Sequence, residues 1–75
     1  MSHNLILVKG DIWNFEEVYQ TPNAVTWAAL DSEDPTRVYK DWIIRERKGK
    51  FPEETKQHFE RIDELIADGY SWSHT

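Results

Sequence analysis

Residues 34–68 read DPTRVYKDWIIRERKGKFPEETKQHFERIDELIAD. This stretch reads as two amphipathic helices joined by the short turn Gly49-Lys50-Phe51-Pro52. Asp34 suits an N-cap, where its carboxylate accepts a backbone N–H of the first turn. Pro35 suits the first helical position, where no amide hydrogen is needed. At about 100° per residue, Val38, Tyr39, Trp42 and Ile43 share one side of a first helix over 34–48. Gly49 stops that helix and Pro52 opens a second, over 52–68, along which Thr55, Phe59, Ile62, Leu65 and Ile66 form a continuous apolar stripe. Gly69 then stands where a helix end favours a left-handed residue. A turn this short predicts an antiparallel helical hairpin.

Outward from the hairpin, the N-terminal 30 residues read mainly as strands. Leu5 to Val8 is a short apolar run ending at Lys9-Gly10-Asp11, which predicts a strand buried on both faces and then a turn. Over Ile12 to Gln20, Trp13, Phe15, Glu17 and Tyr19 alternate with Ile12, Asn14, Glu16 and Val18, the pattern of a second strand. A helix begun at Asn14 is the alternative, but Pro22 would limit it to about two turns, which is marginal in water. Pro22-Asn23 suits the centre of a β-turn, and Ala24 to Leu30 then reads as a third strand. The rival there is a helix starting at Pro22, which the alanines support. Beyond Gly69, Tyr70-Ser71-Trp72 reads as an aromatic tail. The expected architecture is a single small α+β domain, 1–75: a two- or three-stranded antiparallel sheet followed by the hairpin packed on one face.

At 75 residues, such a domain buries only about 60% of the surface its unfolded chain exposes. With no cysteine, neither disulfides nor thiolate metal sites compensate. Four Trp, three Tyr and three Phe are the expected compensation, since each buries a large area. Association through exposed sheet edges, giving a homodimer, is a further expectation. No run approaches the roughly 18 apolar residues of a membrane span, and the N-terminus lacks the form of a signal peptide. The expectation is a soluble, cytoplasmic protein without membrane contact.

The net charge of −5 is unevenly laid out. Residues 1–35 hold six acids against one lysine, residues 36–50 six cations against two acids, and residues 51–75 six acids against two cations. A basic island therefore lies between acidic arms. On the first helix, Arg37, Lys40, Arg45, Arg47 and Lys48 fall opposite Trp42, with Ile44 projecting into their midst. Cations in a last helical turn complement the macrodipole, so part of this pattern needs no ligand. Ile44 is the residue that pattern does not explain, and an apolar spot ringed by charge is the form of a protein contact. On the second helix Glu53, Glu60, Glu64 and Asp68 form an outer acidic stripe. Glu64 and Asp68 oppose the dipole at their end, by a few tenths to about 1 kcal/mol each, which points to a basic partner surface.

Catalytic and metal signatures are missing from the sequence. His3, His58 and His74 are spaced for no ligand set, and His58 borders the apolar stripe. No glycine-rich phosphate loop or nucleophile elbow occurs, and the paired carboxylates lie on a helix exterior. The expected function is a non-catalytic protein-binding module without cofactor or metal: a small acidic inhibitor or adaptor binding a basic surface of another protein. A nucleic-acid binder using the basic face of the first helix is the alternative, against which the overall acidity argues.

Overall fold

The computed structural model describes residues 4–75, without the side chains of residues 11–14 and 17. Six elements follow in order: β1 (Leu5–Lys9), β2 (Asp11–Glu17), α1 (Asn23–Leu30), α2 (Pro35–Arg47), α3 (Pro52–Ala67) and β3 (Ser71–His74). The sheet has the order β2-β1-β3, both pairings antiparallel. The protein is thus α+β, with a small antiparallel sheet and three helices.

The first strand lies centrally because its side chains demand cover on both faces. Leu5, Ile6 and Leu7 are all buried. Leu5 and Leu7 join the helix-side core, while Ile6 is outside that cluster, on the opposite face. Gly10, at φ 75°, makes the tight link to β2. Pairing then runs from Leu7↔Glu16 and Val8↔Phe15 to Lys9↔Asp11, with an irregularity between Val8 and Lys9. The expected second strand is therefore present, but it ends at Glu17 rather than Gln20. Of its anticipated aromatic face, Phe15 is exposed, Tyr19 lies beyond the end of the strand, and the side chain of Trp13 lies outside those described.

Two expectations are corrected. Ala24 to Leu30 is helix rather than a third strand, and Pro22-Asn23 begins that helix rather than centring a β-turn. The amides of Val25 and Thr26 both reach the Pro22 carbonyl, at 3.0 Å each. Buried hydroxyls reinforce this start: Leu5 N–H donates to Thr21 Oγ1 (3.0 Å), the Thr21 and Thr26 oxygens lie 2.6 Å apart, and Thr26 Oγ1 donates to the Pro22 carbonyl (3.3 Å). These contacts satisfy polar groups that burial would otherwise penalise. The helix reading wins because Thr26 spends its hydroxyl on its own helix start and Ala29 packs fully buried in the core.

The third strand is instead the C-terminal stretch that read as a tail. Ser71–His74 pairs with β1 through Leu5↔His74, Ile6↔Ser73, Leu7↔Trp72 and Val8↔Ser71. Trp72 Nε1–H donates to Thr36 Oγ1 on α2 at 2.8 Å, fastening the strand to the helices. Thr75 N–H reaches the Asn4 carbonyl at 3.0 Å.

The helix ends follow local chemistry. Asp34 accepts Arg37 N–H at 3.2 Å, and Pro35 is the first residue of α2. Lys48 (φ 51°), Gly49 (φ 83°) and Phe51 (φ 56°) are left-handed within the four-residue link between α2 and α3. For a large side chain such as Phe51 that backbone is strained. Every helix feeds one core, with Ala29 from α1, Tyr39 and Ile43 from α2, and Ile62 and Leu65 from α3 meeting Leu5 and Leu7. No helix among the described residues is long and apolar enough to cross a membrane.

Candidate functional site

The second and third helices meet through two polar clasps with an apolar gap between them. Lys40 Nζ contacts Asp63 Oδ1 at 2.7 Å at one end, and Arg47 donates to Thr55 Oγ1 at 2.7 Å at the other. Between them stand Ile44 on α2 and Phe59 on α3, with Lys40 Nζ 5.3 Å above the Phe59 ring. Lys40, Ile44 and Arg47 recur at a helical spacing on α2, as Thr55, Phe59 and Asp63 do on α3. The clasps are made by long side chains, whereas Ile44 and Phe59 do not close the middle. The result is a groove of about 440 Å³ whose lining includes Ile44, Arg47, Lys50, Lys56, Phe59 and Glu60. A second hollow of about 380 Å³ shares Ile44 and Phe59 and extends toward Asp34 and Thr36. Ile44 remains 54% exposed.

This geometry divides the basic island. Lys40 and Arg47 turn inward: Lys40 is neutralised by Asp63, and Arg47 lies over the Tyr19 ring, 4.7 Å from its centroid, and hydrogen-bonds the Tyr19 hydroxyl. Arg37 is outward and makes a loose pair with Asp41 at 3.9 Å. Arg45 and Lys48 are exposed. The island is thus no single face.

The acidic stripe is divided too. Glu53, Glu60, Glu64 and Asp68 are all exposed. Asp68 contacts Lys9 at 3.1 Å and Glu64 contacts Arg61 at 3.9 Å. These surface pairs are each worth about 0–1 kcal/mol, comparable to the unfavourable dipole term at that helix end. The dipole cost at Glu64 and Asp68 is therefore met within the molecule and carries no separate sign of a partner. Glu53, in the first turn of α3, is favourably placed against its dipole.

Behind the groove lies a cluster that sequence reading reached only in part. Tyr39 is fully buried. Its hydroxyl accepts Tyr19 N–H at 3.3 Å and lies 2.7 Å from His58 Nε2. A phenol that accepts from an amide is free to donate to an unprotonated Nε2, which favours neutral His58. The Tyr19 ring also packs on His58, centroids 4.7 Å apart. Burial holds the His58 pKa below its usual value, helped by the Arg47 guanidinium, and burial pushes the Tyr39 phenol far up. The His58 shift has a definite consequence for stability. With the folded pKa below the unfolded value of about 6.5, the unfolded chain takes up the proton first as pH falls. Stability contributed by neutral His58 is complete above about pH 6.5 and declines below it. We expect the melting temperature to be level from pH 8 to 7 and to drop from about 6.5 downward, before carboxylates titrate. Replacement of His58 by Gln should remove that step in circular dichroism melts. Parallel curves for the two proteins would refute the assignment.

His74 packs against Trp27, centroids 4.9 Å apart, and His3 lies outside the described residues. Among the described residues no group of three His, Cys, Asp or Glu side chains is placed to hold a metal ion. Trp72, read as part of an aromatic tail, is half-buried with its ring 5.4 Å from Tyr39. The groove itself had a legible signal: Lys40 and Asp63, like Ile44 and Phe59, lie equally far along the chain on either side of the Phe51–Pro52 bond. Comparison with protein-family models, curated proteins and solved structures finds no match to this chain.

Proposed function

We propose that this chain is a non-catalytic protein-binding module, a small inhibitor or adaptor. Its α2 and α3 act as an antiparallel helical hairpin that seats a partner between them. One observation carries the reading: Ile44, 54% exposed, lies in a groove bracketed by the Lys40–Asp63 and Arg47–Thr55 contacts. An exposed apolar side chain in a concavity with a charged rim has the anatomy of an interface centre. Phe51 supports it, being 59% exposed on a strained left-handed backbone beside the cationic end. Glu53, Glu60 and Glu64, exposed along α3, supply the acidic margin for a basic surface of the same partner. The nucleic-acid alternative is weakened because Lys40 and Arg47, two of the five cations it would use, are engaged internally. A homodimer through the sheet edges is compatible with this groove.

The test is affinity capture from the native host, comparing the wild type with Ile44→Glu. Exposure of Ile44 predicts that the variant melts within a few degrees of wild type. A protein retained at constant stoichiometry by wild type should be lost with the variant, by at least tenfold. If capture survives Ile44→Glu and is lost when Glu60 and Glu64 become Lys, the acidic face is the site and the groove is not. Tight, steeply salt-dependent binding of DNA or RNA, abolished by Arg45→Glu with Arg47→Glu, would sink the protein-binding reading altogether.

A further inference from the structure

We infer that the occupant of the groove is an amphipathic helical segment of a partner protein. It presents two large apolar side chains one turn apart, with carboxylates directed at the α2–α3 turn. This rests on the protein-binding reading and adds the chemistry and orientation of the bound segment.

The shape of the site selects a convex segment. Two hollows of about 440 and 380 Å³ share Ile44 and Phe59 as common wall. Adjacent hollows of this kind match side chains at i and i+4 on one helical face, whose Cβ atoms lie about 5–6 Å apart. A second copy of this chain offers a groove to a groove. Two concavities facing each other leave Ile44 without a filled contact, so the complementary surface belongs to a ridge.

Charge sets the direction. At the turn end the lining carries Arg47, Lys50 and Lys56, and no ion pair holds Lys50 or Lys56 among the described residues. Toward the other end the charges balance: Lys40 meets Asp63, and Arg37 meets Asp41. Only the turn end therefore has cationic charge left to offer. Carboxylates near the C-terminal end of the bound helix would meet it, joined by the negative end of that helix's own dipole. Exposed lysines contribute little affinity singly but decide orientation and discriminate against cationic segments. Affinity comes from covering Ile44 and Phe59. Phosphate chains fit poorly, because the apolar wall of Ile44 and Phe59 offers a phosphate nothing.

The experiment is selection of a displayed library of random 16-residue peptides on the wild-type domain, with counter-selection on Ile44→Glu. Enriched peptides should carry two large apolar residues three or four apart and an excess of Asp and Glu toward one end. In fluorescence anisotropy, a selected peptide should bind the Lys50→Glu/Lys56→Glu variant at least tenfold more weakly and lose binding to Ile44→Glu. Cationic binders, no enrichment over Ile44→Glu, or unchanged affinity for the double lysine variant would overturn the inference. So would self-association of the wild type in sedimentation equilibrium that Ile44→Glu abolishes, because the occupant is then a second copy. If the host partner is lost with Ile44→Glu but retained by the double lysine variant, protein binding stands and the acidic occupant fails.

Discussion

Deletion of residues 71–75 is expected to unfold the domain. The deletion removes β3 from beside β1, whose Leu5, Ile6 and Leu7 are all buried, and bares the backbone of that central edge. It also removes the Trp72 ring from Tyr39 and its indole hydrogen bond to Thr36. Truncating a large buried aromatic costs about 3–5 kcal/mol, and a half-buried one proportionately less. The lost strand pairing adds to that. A domain of this size, without disulfides, rarely has more than about 3–5 kcal/mol in hand. Far-UV circular dichroism should show the loss of a cooperative melt. A truncated chain that melts within a few degrees of the full one would mean that the C-terminal strand is not integral to the fold.

Tyr39→Ala is the second large effect. This side chain is the hub between α2, α3 and β3: fully buried, 2.7 Å from His58 Nε2, and 5.4 Å ring to ring from Trp72. The cavity costs about 3–5 kcal/mol by analogy with other buried aromatics, and Tyr19 N–H and His58, both in partly buried surroundings, lose a partner at about 1–3 kcal/mol together. Together these exceed the stability of a domain this small, so the variant should be unfolded at 37 °C. Tyr39→Phe keeps the ring and loses only the hydroxyl contacts, at about 1–3 kcal/mol. It should remain folded with a melting temperature lower by about 4–8 °C per kcal/mol. Comparable melts for the Ala and Phe variants would show that ring packing is not what Tyr39 supplies.

The parts of the fold legible in the sequence were those fixed by local chemistry. Asp34-Pro35 sets the start of α2 whatever surrounds it, and Leu5-Ile6-Leu7 can be satisfied only by cover on two faces. The parts missed depended on distant partners. Val25 and Trp27 alternate like strand residues, but Thr26 meets Thr21 and Ala29 meets the core, contacts invisible to a period count. Ser71–His74 has no strand pattern of its own and becomes a strand because β1 has a second edge to pair. At the site, the sequence singled out Ile44 but assigned Lys40 and Arg47 to one outward face with Arg45. Their inward turn depends on which α3 residues stand opposite, Asp63 and Thr55, and Thr55 was read only as part of the apolar stripe. The exposed acids of α3 were legible as charges; that Lys9 meets Asp68 from the far end of the chain was not.

The hydrogen bond from Thr75 N–H to the Asn4 carbonyl bears on how the chain assembles. The central strand gains its first neighbour through a tight turn at Gly10 and its second only after the rest of the chain has folded back. Loop-closure entropy rises slowly with length, by about 0.6 kcal/mol per doubling, but contacts of such separation slow folding. The β1–β2 hairpin and the helical segments can therefore order before β3 arrives to fasten them. A circular permutant that joins the two ends through a short linker, and opens the chain at Gly49–Lys50, would turn that late closure into a local one.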